Sequence, residues 1–381
     1  MSRICGIITE YNPFHNGHKY QLDQARKVSG ASAIVVVMSG NFVQRGEPAI
    51  IDKFVRTRAA LLGGADVVLE IPSTFSTRSA EGFGAAGVYI LAASGIVNSI
   101  CFGCETDNIP LLSEIAKFLT NESDTFKSLL KKGITLGKSF PAARADALSG
   151  VLSSQIPNIA DIIGSPNNIL GIEYLKAIEK YKLPLTPFGV ERKGASHHSK
   201  KLEGSFASAT ALRNEIHKGN LHLGDFMPAD SLQILKNECS ISAINHINNF
   251  SAFFHYISLF NPLHPRLAHG AKENFSITDI IEAAKTKNIT HTALRRAALH
   301  TILQLPQNDL PEYIRILGFK RSAEHLVKQM HKSATLPIIT NAKNAPEMLV
   351  NEIKATELYW LALKHKNVPA RSEFSSPMVI L

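Results

Sequence analysis

The sequence predicts an α/β protein, with a parallel sheet and its helices in residues 1–220 and an all-helical domain in residues 221–381. Two observations predict it. Short apolar runs of strand length alternate with helical patterns in the first half, as buried parallel strands and their crossover helices do. Beyond about residue 220 such runs become scarce, and amphipathic helical spacing dominates in 279–285, 291–305 and 347–364.

Ile4 to Ile8 is the first strand, and it must end before Asn12-Pro13, because proline has no N–H for the ladder and turns its predecessor away from helix. Tyr20 to Val28 is the helix that follows. Ile34 to Met38 is a second strand, ended by Ser39-Gly40-Asn41, and residues 42–48 form a polar loop. A helix from Ile51 to Gly63 carries Lys53, Arg56 and Arg58. Val67 to Ile71, closed by Pro72, is a third strand, and Ala80 to Ala93 is helical. Ser99 to Phe102 is the fourth strand. Residues 107–160 are helical with a break at 133–141, Ser165-Pro166-Asn167-Asn168 turns into another helix, and Leu185 to Val190 is the fifth strand.

With 381 residues the chain has room for two cores. Hydrophobic content of 45% and charged content of 19% exclude a disordered chain. No apolar run reaches membrane-spanning length, and no charged-then-apolar leader opens the sequence. Four cysteines make no disulfide framework in a chain this size, so a reducing cytoplasm is expected. The net charge of +9 is spread along the chain and hints at a polyanionic partner. Ten of the fifteen histidines follow residue 220, in no metal-ligand spacing. Cys101-Phe102-Gly103-Cys104 lies at a strand end without a second pair, and reads as inert thiols.

Two short motifs carry chemistry. His15-Asn16-Gly17-His18 follows the first strand at a helix entry, where free backbone N–H groups and the positive dipole end can receive an anion. Gly17 allows a phosphate close to the backbone, and the two histidines can donate to its oxygens. Ser208-Ala209-Thr210-Ala211-Leu212-Arg213 opens a later helix, where hydroxyls, first-turn amides and Arg213 suit phosphate again. Gln44, Arg45 and Lys53 are candidates for a carboxylate pocket or the phosphate tail. Arg295 and Arg296, on the 291–305 helix, are candidates for RNA phosphates.

The motif pair resembles the nucleotidyltransferase superfamily that carries a His-Ile-Gly-His-type turn and an Ile-Ser-Ser-Thr-x-Ile-Arg-type second motif. Ala209 departs from it, removing one hydroxyl. With Glu10 to His18, Met38 to Ala49 and Ser165 to Gly171, the chain is similar along its length to the bacterial tRNA(Met) cytidine acetate ligases. The resemblance implies a Rossmann-like ATP-binding domain and a helical tRNA-binding domain. It implies that acetate attacks the α-phosphate of ATP, with Mg²⁺ as the usual companion, and that the wobble cytidine of elongator tRNA(Met) then takes the acetyl group. It places the nucleotide on Ile8, Thr9, Glu10, Tyr11, Asn12, Pro13, Phe14, His15, Asn16, Gly17, His18, Lys19, Tyr20 and Gln21, and on Gly103, Asn168, Arg192, Lys193, Ser208 and Thr210. His15, His18 and Arg213 would be catalytic, and the 194–204 loop or the second domain would close over the reactive intermediate. The alternatives are a small-molecule adenylyltransferase, indifferent to RNA, and an ATP-binding RNA adaptor without chemistry.

Overall fold

The computed structural model describes residues 3–106, 108–191, 206–363 and 371–381. Ten strands are present among them: β1 (Ile4–Thr9), β2 (Ala33–Ser39), β3 (Phe42–Val43), β4 (Glu47–Pro48), β5 (Val67–Ile71), β6 (Ser99–Cys104), β7 (Thr186–Glu191), β8 (Ile314–Phe319), β9 (Ile338–Ile339) and β10 (Val379–Ile380). Eight form one sheet in the order β10-β8-β5-β2-β1-β6-β7, with β9 against β8. From β5 to β7 every pairing is parallel. The chain runs outward from β1 through β2 to β5, then returns to lay β6 on the other side of β1. That reversal opens a crevice at the carboxyl ends of β1 and β6, where α/β sheets bind ligands.

Alternation along each strand divides the core. Ile4, Ile8, Val35, Val37, Val67 and Leu69 face one layer of helices, which includes Ala80–Ala93 and Pro166–Tyr181. Cys5, Ile7, Ile34, Val36, Met38 and Val68 face the other, built by Asn16–Ser29 and Lys53–Gly63. Both faces are covered, hence the unbroken apolar strands. Each such side chain, fully buried, stabilises the fold by about 1.5–3 kcal/mol.

The expected strands and helices of the first half fall where the periodicity puts them, within a few residues. The polar loop expected at 42–48 is instead a hairpin, β3 and β4 pairing Phe42 with Pro48 and Val43 with Glu47. Helices dominate 229–303, as expected, but the C-terminal part is not helical throughout. β8 pairs antiparallel with β5, and β10 pairs parallel with β8. Arg315 and Gly318 interrupt the apolar run that would have marked β8. Gly318 is required there, because a Cβ would stand 2.5 Å from the Val379 carbonyl oxygen.

Candidate active site

The first strand delivers Thr9 and Glu10 to the crevice, and the backbone then turns sharply through Tyr11, at φ 46°. His15 is the N-cap of the Asn16–Ser29 helix. Its Nδ1 accepts from the Gly17 N–H at 3.0 Å, and His18 Nδ1 accepts from the His15 N–H at 3.3 Å, a capping box made by two imidazoles. With both Nδ1 atoms accepting, each neutral ring carries its proton on Nε2. The rings stack with centroids 3.7 Å apart. Gly17 has a second reason to be glycine, since a Cβ would lie 2.9 Å from His15 Cε1.

The expectation of free amides at this helix entry needs correcting. The Asn16 N–H donates to the Phe226 carbonyl at 2.9 Å, and the Gly17 N–H is taken by His15. An anion here meets imidazole N–H groups and the helix dipole, because the first two amides of the helix are already taken.

The second motif reinforces the first. Ser208 caps the Ala209–His217 helix, its Oγ accepting from the Ala211 N–H at 3.1 Å. Arg213 reaches back to the turn, donating to the Asn12 carbonyl at 2.8 Å and to Thr210 Oγ1 at 3.4 Å. Arg45 donates to the same hydroxyl at 3.2 Å. Burial pushes the Arg213 pKa down, against the opposing pull of Glu47 and Glu10. Arg213 and Thr210 therefore brace the cleft and do not line it.

The cleft is lined by Ile8, Thr9, Glu10, Tyr11, Asn12, His15, Gly17, His18, Tyr20 and Gln21, with Gly103, Gln44, Arg45 and Ser208. Glu10 Oε1 accepts from the Gln44 N–H at 3.0 Å and so anchors the hairpin to the first strand. The other expected contacts lie elsewhere. Phe14 is buried with Pro13 behind the turn, its ring 4.8 Å from that of Tyr11. Asn16 Nδ2 donates to the Asp225 carbonyl, and Lys19 pairs with Asp23 on the surface.

Asn168 is fully buried. Its Oδ1 accepts from the N–H groups of Glu105 and Thr106, clamping the loop after β6, and its neighbour Asn167 lines the cleft instead. Glu105 answers by capping the Pro166–Tyr181 helix, its Oε2 accepting from the Asn168 N–H at 2.9 Å.

Lys53 is also not in the cleft. Its ammonium, wholly buried, pairs with Glu70 at 2.6 Å and with Glu373. Burial favours losing that charge, but the carboxylates of Glu373, Glu70 and Glu352 outweigh it and hold the lysine protonated. Three residues on, Arg56 does what the sequence left unassigned. Its guanidinium takes the carbonyls of Ile51, Glu10, Ser39 and Gly40, tying the ends of β1 and β2 together. Arg295 pairs with Glu47, and Arg296 is half-buried beside a second cavity. Arg192 and Lys193 lie outside the described residues, as does the 194–204 loop.

Apart from Glu191, the remaining walls are largely apolar and include Phe83, Phe102, Leu170, Tyr174, Val190 and Phe206. They come from five separate elements, so no local motif announces them. They suit the flat face of a purine, while the histidines and Arg45 suit a polyphosphate. Cys101 and Cys104, at the end of β6, are buried, and contact with Cys5 and burial push the Cys101 thiol up. No group of three or more His, Cys, Asp or Glu that would hold a metal ion occurs among the described residues.

A parallel sheet reversing at β1, with a His-x-Gly-His turn capping the next helix inside the crevice, defines a nucleotidyltransferase-type site. The family model described as HIGH Nucleotidyl Transferase matches residues 2–373. The chain belongs to that family, and within it to the tRNA(Met) cytidine acetate ligases. A relative of that name from Halothermothrix orenii is 38% identical over 368 residues, covering 89% of this chain and 87% of its own. Another, from Acetivibrio thermocellus, is 35% identical with both chains covered fully. Among solved structures, Thermotoga maritima TmcAL bound with alpha-thio ATP superposes with a TM-score of 0.90 at 31% identity, covering 100% of this chain and 99% of that one.

Proposed function

We propose that the chain is an ATP-dependent ligase that activates acetate as acetyl-adenylate and acetylates the N4 amine of the wobble cytidine in elongator tRNA(Met). The observation that carries this reading is the stacked pair of capping histidines, held in the crevice opposite the aromatic and aliphatic walls of the same cleft. The relatives' names and the ATP analogue in the Thermotoga maritima structure support it.

In the first step an acetate oxygen attacks the α-phosphorus of ATP and a new O–P bond forms. The bond to the β-phosphate bridge breaks, and pyrophosphate leaves with the electron pair. The Nε2–H groups of His15 and His18 are fixed donors for the charge growing on the α-phosphate oxygens, and a donor held in place before the reaction costs no reorganisation during it. Among the described residues, Arg45 is the cation lining the cleft for the leaving pyrophosphate or the incoming carboxylate. Magnesium would arrive on the ATP phosphates, with Glu10 the cleft carboxylate nearest the turn. In the second step the cytidine N4 lone pair bonds to the acyl carbon. The acyl C–O bond breaks, and AMP departs with the electron pair while one N4 proton passes to its phosphate.

The test is incubation of the purified protein with ATP, labelled acetate and bulk bacterial tRNA, followed by nucleoside mass spectrometry. Labelled acetylcytidine that requires both ATP and His18 is the expected result. Pyrophosphate release without label in RNA overturns the RNA half of the reading and leaves the small-molecule alternative.

A further inference from the structure

The Pro166–Tyr181 helix is a wall shared by two cavities. Asn167, Leu170 and Tyr174 face the nucleotide cleft, while Ile169, Ile172 and Glu173 line a second cavity of about 410 Å³. The Phe140–Leu152 and His291–Leu303 helices form its other sides, through Ala145, Leu148, Ala293 and Arg296. Gln44 lines both cavities, so its side chain marks the passage between them. The volume lies within the range of roughly 300–1,000 Å³ usual for small-molecule sites.

Its polar lining is part paired and part available. Glu173 is 2% exposed. Its Oε1 accepts from Arg144 at 2.6 Å, and Lys176 stands 3.8 Å from its Oε2, yet Oε2 is buried with no hydrogen bond. The charges of Arg144 and Lys176 offset the cost of burying that carboxylate. Arg296 is half-buried and makes no hydrogen bond or ion pair among the described residues, an available charge for a phosphate.

We propose that this second cavity receives the base of the acceptor nucleotide, a pyrimidine whose exocyclic amine points past Gln44 to the acyl-adenylate. The inference rests on the acetate-ligase reading. The apolar side chains of Leu148, Ile169 and Ile172 pack on the ring faces, and Arg296 meets the adjoining phosphate.

The two half-reactions test this separately. Ala293→Trp fills the cavity without touching the nucleotide cleft. Acetate-dependent ATP–pyrophosphate exchange should stay within about twofold, while acetyl transfer from labelled acetate to bulk tRNA falls by roughly tenfold or more. Transfer at an undiminished rate overturns the proposal while leaving the ligase reading intact. A second measurement needs no variant: tRNA carrying 5-iodocytidine at the wobble position, which keeps the exocyclic amine, is photocrosslinked to the native protein. Crosslinks within residues 139–148 or 288–296 support the proposal, and crosslinks confined to other segments overturn it. A native protein that shows neither exchange nor acetylcytidine overturns the ligase reading, and this proposal with it.

Discussion

The imidazoles of His15 and His18 hold each other in place through the backbone they share. His15 Nδ1 accepts from the Gly17 N–H, His18 Nδ1 accepts from the His15 N–H, and the rings stack with planes 23° apart. The same two side chains therefore cap a helix and set the orientation of the Nε2 donors in the cleft.

Those duties can be separated by mutation. Asparagine is among the best N-caps, so His15→Asn should keep the helix entry and shift the thermal midpoint little. It removes a fixed donor, and acetate-dependent pyrophosphate exchange should fall about 10²–10³-fold, the usual loss for one such group. Exchange at the native rate in a folded His15→Asn variant would exclude a role for this imidazole in the chemistry.

Lys53→Met should act on stability. Removing the ammonium leaves Glu70 and Glu373 facing each other in the core, and breaking a buried pair in this way costs about 3–5 kcal/mol. Urea denaturation should show a much lower midpoint. A native midpoint combined with a raised KM for acetate would restore Lys53 to the substrate pocket.

Glu352 makes stability depend on pH. Burial, then the Glu70 carboxylate, raises its pKa from the ordinary 4.5 to about 8, while it accepts from the Ser73 N–H and hydroxyl. Between those values the folded state holds a proton that the unfolded state has released. Its stabilisation is thus full below about pH 4.5 and is lost as the pH rises through 8. Glu352→Gln keeps the shape and removes the titration, so its thermal midpoint should decline less than the native one between pH 5 and pH 8, in the window set by linkage at about those values. Parallel melting curves across that window would remove Glu352 as the source.

Gly46→Ala should loosen the hairpin from the His291–Leu303 helix. Gly46 has φ 75°, and a Cβ there would lie 2.4 Å from the Arg296 backbone nitrogen. Left-handed strain and a clash with backbone should together cost about 1–3 kcal/mol, read by chemical denaturation. Because Gln44 and Arg45 sit in the same hairpin, the KM for ATP or acetate should rise as well. An alanine variant with native stability and KM would show that this contact carries neither.

The parallel half of the fold was legible because buried strands are short, apolar and separated by turn residues, as in Val67 to Ile71 before Pro72. β8 was not, since Arg315 breaks its run and is explained only by Glu373, 58 positions along the sequence and 3.5 Å away. At the site, His15 and His18 were legible from spacing and from the turn that carries them. The exchange of Asn167 for Asn168 was not, because neighbouring positions on a helix entry differ by a rotation that only packing fixes. Phe83, Tyr174 and Phe206 were invisible for a related reason: an apolar side chain lining a cleft has the same local pattern as one lining a core.

The counter-ion supplied to Lys53 by Glu373 has a consequence for synthesis on the ribosome. Residues emerge in order, so the sheet that builds the nucleotide crevice must wait for a charge more than three hundred residues behind it, together with β10 beside β8. A nascent chain stopped short of that point would hold an acid–base imbalance at its centre and an uncovered strand edge, both features that quality-control proteases act upon. The full set of counter-charges around Lys53 is thus completed only near the end of translation, by the same segment that covers the edge of β8.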